Sequence, residues 1–217
     1  MQQPDTIAPK SEELENEQPR EYGLYELIRS DIALKQHWFL KKDSWFNRNI
    51  RVYMEPGTIG VIVYRYGHWV GKLRIPILKQ ILQIIYFLCN SVVVLAFGIY
   101  ISPGLKVGRG FAIHNFSGIF LPATTVGDNF IVFHGVTVGH LRGEGGKPPR
   151  IGNNVFLAAG AKVLGDLTLG NNVVVGANSV VIDDVPDRCT VLGVPARILD
   201  RNTTWIEEKL AGKGNHW

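Results

Sequence analysis

Cysteine is almost missing from this chain of 217 residues: only Cys89 and Cys189 occur. Two cysteines cannot build a disulfide framework, and their spacing is not that of metal ligands, so a stapled secreted fold is excluded and no metal is expected. A reducing, cytoplasmic setting follows. The stretch Met1 to Arg20 is polar and acid-rich, without the apolar core of a signal peptide, and reads as a flexible tail. Charge is modest, at 19% against 46% hydrophobic residues, which excludes a disordered chain. Glycine is plentiful, 24 in all, yet it does not recur at every third position. Collagen is thereby excluded, and a turn-rich β architecture is favoured. A net charge of +4 suits contact with anions such as cofactor phosphates or anionic lipid. No nucleic-acid partner is expected, because no reading motif accompanies the charge.

Residues 21–97 read as an α-helical N-terminal region. Leu24, Leu27, Ile28, Ile32 and Leu34 fall roughly at helix spacing. Glu55-Pro56-Gly57 breaks the pattern before a second apolar stretch, Ile59 to Val70. Pro76 then precedes a long apolar run, Ile77 to Ile101. The run is long enough to cross a bilayer, but Lys79, Gln80, Gln83, Asn90 and Ser91 interrupt it. The expectation is a buried helix leading into a first strand. The alternatives are a membrane span and a peripheral membrane contact, the latter because Lys72, Arg74 and Lys79 lie beside the apolar face.

From Gly98 onward aliphatic residues recur every six positions: Ile101, Val107, Ile113, Ile119, then, after one extra residue, Val126, Val132 and Val138. An interruption follows, a protruding loop over 139–150. The count then resumes through Ile151, Leu157, Val163, Leu169, Val175 and Val181. Neither a helix nor an alternating strand has a six-residue apolar period with glycine at its turns. A triangular β-helix does: each hexapeptide forms one side, and three sides close a coil of about eighteen residues. Residues 98–199 form this unit, and 200–217 a C-terminal tail.

The coil length lets positions be stacked without a structure. Val107, Val126, Ile151 and Leu169 should share one face, and Ile113, Val132, Leu157 and Val175 the next. Two residues beyond this second set stand Asn115, His134, Ala159 and Ala177, a column along one corner. An extended thioester cofactor laid along it would follow the alanines and end near the polar pair.

The stretch GRGFAIHNFSGIFLPATTVGDNFIVFHGVTVG, with GANSVV and GVPAR further on, resembles the serine acetyltransferase branch of the hexapeptide acyltransferases. It looks closest to members that act in colanic acid and exopolysaccharide biosynthesis. The resemblance, which covers about residues 24–199, implies a mainly β fold. This is a left-handed parallel β-helix behind a helical region, assembled as homotrimers with active sites between subunits. It implies acetyl-CoA as co-substrate and no tightly bound cofactor.

Measured against that family, several positions depart. Asn115 stands where the catalytic histidine is expected, and Tyr100 where a carboxylate would partner it. His114 stands in place of an acidic residue, and Lys147-Pro148 in place of a basic pair. An amide cannot act as a general base. The base candidates are His134, then His114, then His140, with the Asn115 amide or a backbone N–H near Gly135 or Gly139 as oxyanion donor. Gly139, Ala159, Ala177 and Arg197 are the expected cofactor contacts. The lost serine-binding positions point to a sugar hydroxyl of a surface polysaccharide as acceptor. The alternatives are L-serine, or a β-helix that has lost catalysis and serves as a scaffold.

Overall fold

The computed structural model describes residues 22–40, 44–140 and 146–211. The expected tail 1–20, the middle of the loop (141–145) and residues 212–217 of the C-terminal tail lie outside the described residues.

Three longer helices precede the β-helix: α1 (Leu24–Phe39), α2 (Pro56–Gly71) and α3 (Pro76–Phe97). A short π-helical turn, Asn47–Arg51, connects the first two. Pro56 and Pro76 open α2 and α3, where a missing N–H costs no intrahelical bond. Gly98, left-handed at φ 62°, closes α3 and turns the chain into the first strand.

Three parallel sheets form the sides of the β-helix. Sheet A stacks β1 (Ile99–Ile101), β4 (Ile119–Leu121), β7 (Thr137–Gly139), β10 (Lys162–Leu164) and β13 (Val180–Val181). Sheet B stacks β2 (Lys106–Val107), β5 (Thr125–Val126), β8 (Arg150–Ile151) and β11 (Thr168–Leu169). Sheet C stacks β3 (Phe111–His114), β6 (Phe130–Phe133), β9 (Val155–Leu157) and β12 (Val174–Val175). It ends in the antiparallel pair β14 (Thr190–Gly193) and β15 (Ala196–Asp200). All thirteen six-period aliphatics are buried in one continuous core. Val107, Val126, Ile151 and Leu169 pair in register, as do Ile113, Val132, Leu157 and Val175.

The third side corrects the count. Ile101 pairs with Leu121, and Ile119 pairs with Ile99. The extra residue is therefore a sum of two changes: the corner after Ile113 is two residues longer than its neighbours, and the corner after Leu121 is one shorter.

Between sheets B and C the corners are held by the side-chain oxygens of Asp and Asn. Asp128 Oδ1 accepts from Arg109 N, Asn153 Oδ1 from Asp128 N, Asn171 Oδ1 from Asn153 N and Asp187 Oδ1 from Asn171 N, at 2.7–2.8 Å. Asn129, Asn154 and Asn172 take the left-handed conformation beside them, which asparagine tolerates. Each coil thus satisfies the backbone donors of the coil before it.

Helix α1 covers the outer face of sheet C through Leu34 and Trp38, packed with Ala112, Ile131 and Val174. A buried ion pair fastens α1 and α2 to the first coil: Asp31 meets Arg65 Nε at 2.8 Å and Nη2 at 3.0 Å. Arg65 also donates to the carbonyls of Val107 and Gly108, and Asp31 accepts from Phe111 N.

The expectation of a buried helix over the apolar run is overturned. Of α3, only Val93 is buried, while Ile77, Ile84, Leu88 and Leu95 are more than half exposed. The reason is geometric. Helix α3 lies on α2 along one face, and α2 is too narrow to cover the remainder of a helix that is apolar nearly all round.

Candidate active site

Of the sequence-predicted residues, Gly139 and His140 lie at the far end of β7 and Arg197 on the terminal hairpin, whereas His114, Asn115, His134, Ala159 and Ala177 gather at the corner between sheets C and A. Here each coil turns through a residue in the left-handed region: Gly118, Gly135 and Gly160 at φ 68–73°, and Asn178 at 55°. A Cβ on Gly118 would lie 3.4 Å from the Cα of Gly135, and one on Gly135 3.4 Å from that of Gly160. The left-handed φ at these turns favours glycine, and their stacking sets the preceding residues in line.

Backbone hydrogen bonds identify the column. Gly135 N donates to Ser117 O, Gly160 N to His134 O and Asn178 N to Ala159 O, at 2.8–2.9 Å. The residues aligned along the corner are therefore Ser117, His134, Ala159 and Ala177. Asn115 is displaced from the position over His134, because the two additional residues of the first corner separate it from Ser117. It is exposed and left-handed at φ 62°. The Gly135 N–H, bonded to Ser117, is not a spare oxyanion donor.

His134 is exposed on this column, directly after β6. Beneath it, Lys162 Nζ donates to the Gly135 carbonyl at 2.5 Å and to Thr137 Oγ1 at 3.0 Å, bracing the turn. Ala159 is half-buried and Ala177 exposed, so the lower column offers methyl groups and backbone. Gly139 ends β7 and is buried, while His140 follows it on the surface. Arg197 is exposed on β15, with Nη1 on the carbonyl of Ala196.

His114 is built differently. Its ring lies flat on Phe39 of α1, with centroids 3.8 Å apart and planes 4° apart, and edge-on to Phe133 at 4.9 Å. Its Nδ1 is buried with no hydrogen-bond partner among the described residues. Burial first, then the positive Lys35, push the His114 pKa down to about 4, against an opposing pull from Glu55. The ring is neutral and locked, which suits packing and makes it a poor proton acceptor at neutral pH. Glu55 is itself bound to Lys35 at 2.6 Å, and Lys35 also donates to Thr58 Oγ1 and the Ile113 carbonyl.

On the other flank, the outer surface of sheet A carries Tyr100 and Phe120. Their rings stack at 4.9 Å and 11°, and both are exposed. The structure thus joins His134, Ala159 and Ala177 on one line, places His114 and Asn115 beside its upper end, and leaves Arg197 on the terminal hairpin. Sequence reasoning missed Ser117, Phe39, Lys162 and Phe120. The first was hidden by the uneven corner. Phe39 lies on another element, 75 residues before His114 in the chain. Lys162 and Phe120 sit at outward strand positions that a count of inward residues passes over.

Comparison with known proteins agrees with this architecture. Residues 148–183 match the family model for the bacterial transferase hexapeptide (six repeats). A serine acetyltransferase of Helicobacter pylori is 32% identical over 186 residues, covering 83% of this chain and 96% of that enzyme. One of Synechococcus elongatus is 38% identical over 154 residues, 70% of this chain; the chain spans only 60% of that enzyme. Serine acetyltransferase from Vibrio cholerae superposes with a TM-score of 0.71 at 26% identity, over 86% of this chain and 69% of that one. The Brucella abortus enzyme in complex with coenzyme A superposes at 0.69 and 28% identity, over 82% and 68%. With its hexapeptide core shared and one such enzyme matched over nearly its whole length, the chain belongs to the serine acetyltransferase family of hexapeptide-repeat acyltransferases.

Proposed function

We propose that this chain transfers an acetyl group from acetyl-CoA to an acceptor hydroxyl, with L-serine the acceptor that its relatives support. The observation that carries the reading is the near whole-length match to the H. pylori serine acetyltransferase. In the proposed reaction the cofactor lies along Ala159 and Ala177 with its thioester toward His134, and Arg197 meets a CoA phosphate. The His134 imidazole accepts the acceptor's proton as the oxygen attacks the thioester carbonyl carbon. The C–O bond forms, the C–S bond breaks, and CoA leaves as the thiol with the proton returned from His134. The Asn115 amide is the proposed donor to the oxyanion. The proposed site lies in a homotrimer whose neighbouring subunit completes it.

A second reading, a sugar hydroxyl as acceptor, is favoured by the flanks of the site. The ammonium of serine calls for a carboxylate, and the position beside Asn115 holds His114, packed under Phe39. Glu55, the carboxylate that acts on His114, is taken by Lys35. The stacked Tyr100–Phe120 pair offers the flat apolar face on which a sugar ring rests. The two acceptors are separated by mass spectrometry of the products formed from acetyl-CoA with L-serine and with a panel of sugars and oligosaccharides. O-Acetylserine alone supports the first reading, and an acetylated sugar alone the second.

A further inference from the structure

The surface of α3 is not used by the site, and it is the largest apolar feature of the N-terminal region. Pro76–Phe97 spans 22 residues, and its most apolar 18-residue stretch has a mean hydropathy of 1.9. Ile77, Ile81, Ile84, Leu88, Val92 and Leu95 follow one another at intervals of three or four, which sets them in one stripe along the helix. Each is more than half exposed.

The opposite face is committed to protein. Val93 is buried near Gly60, and a Cβ on Gly67 would fall 2.3 Å from the Tyr86 ring. Tyr66 Oη donates to the Leu82 carbonyl at 3.3 Å. Both ends are tied as well, through Pro76 to α2 and through Gly98 to β1. A helix fixed along its length on a folded body presents its stripe sideways, and lies along a surface in place of crossing a bilayer.

The charge around the stripe selects the occupant. No Asp or Glu occurs between Glu55 and Asp128, while Lys72, Arg74 and Lys79 cluster where α3 begins. A second copy of the chain would bring only further positive charge from this segment. An anionic lipid surface supplies both an apolar bed and the opposite sign. We propose that α3 docks this protein on anionic membrane surfaces, its aliphatic stripe in the headgroup–acyl boundary and Arg74 and Lys79 among the headgroups. The proposal holds for either acceptor.

The test is co-sedimentation of the full chain with phosphatidylcholine vesicles, with and without one third phosphatidylglycerol. Thermal melts of each variant establish that it folds. Wild type should sediment with the anionic vesicles and at least tenfold less with the neutral ones. The triple variant Ile81→Glu, Leu88→Glu, Leu95→Glu should lose binding by tenfold or more with its melt unchanged. Arg74→Glu combined with Lys79→Glu, a milder change, should weaken binding several-fold and abolish its salt dependence. Absence of wild-type binding to either vesicle overturns the proposal, as does equal binding by the triple variant. If sedimentation velocity shows that the triple variant dissociates into smaller species while wild type ignores vesicles, the stripe is an interface between copies and not a lipid-binding face.

Discussion

Removing Asp31 should loosen the helical region from the β-helix by a predictable amount. Its carboxylate accepts three hydrogen bonds, from Arg65 Nε, Arg65 Nη2 and Phe111 N, and both partners of the ion pair are only 3% exposed. In Asp31→Ala the guanidinium stays buried with two carbonyls, Val107 and Gly108, and no counter-charge. Stranding a buried charge costs about 3–5 kcal/mol. The orphaned Phe111 N–H adds roughly 1 kcal/mol. For a chain of this size each kcal/mol lowers Tm by about 2–4 °C, so the variant should melt roughly 10–20 °C below wild type. Circular dichroism melts and urea titrations measure both quantities. Asp31→Leu combined with Arg65→Met should recover at least ~1 kcal/mol over Asp31→Leu alone, because the stranded charge is gone. A loss below about 1 kcal/mol in Asp31→Ala, or a double variant weaker than the single one, would refute the idea that this pair clamps the helices.

Other consequences are more local. His114, held neutral with its pKa near 4 against an ordinary 6.5, gives stability that is whole above pH 6.5 and is lost as the pH falls toward 4. The full shift corresponds to about 3 kcal/mol, which partial exposure to water reduces to about 1–2. His114→Phe should flatten the pH dependence of Tm across that window, and an unchanged slope would show that the ring does not titrate there. His134→Ala should slow acetyl transfer by roughly 10²–10⁴-fold while acetyl-CoA binding, followed by calorimetry, changes little. His140→Ala should stay within about threefold of wild type if the base is His134. Ala177→Trp, which fills the lower column, should weaken acetyl-CoA binding by at least ~10-fold with no change in melting temperature, since Ala177 is exposed.

Much of the fold was legible because a β-helix writes its core into the chain at a fixed interval. Val132, Leu157 and Val175 point inward for the same reason that they recur. The miscount at Ile119 shows the limit of this reading. Periodicity reports a net insertion of one, and cannot distinguish it from two residues gained at one corner and one lost at the next. That ambiguity moved Ser117 into the column in place of Asn115. The Phe39–His114 stack was illegible because its partners meet only when α1 folds across sheet C. The apolar run at α3 misled in the other direction, since composition tells how apolar a helix is and not how much of it a neighbour covers. His134, Ala159 and Ala177 were placed together by counting alone, because the one interruption between them, 139–150, is plain in the sequence and its seven extra residues can be subtracted.

The most direct test of the account follows CoA release from acetyl-CoA with a thiol reagent, in wild type and His134→Ala, with L-serine and with sugars. The account predicts release that requires a hydroxyl acceptor and falls by at least ~100-fold in His134→Ala. Acceptor-dependent release that persists undiminished in His134→Ala would place the chemistry elsewhere. Bound acetyl-CoA without release in the presence of any acceptor would contradict the proposed transfer itself.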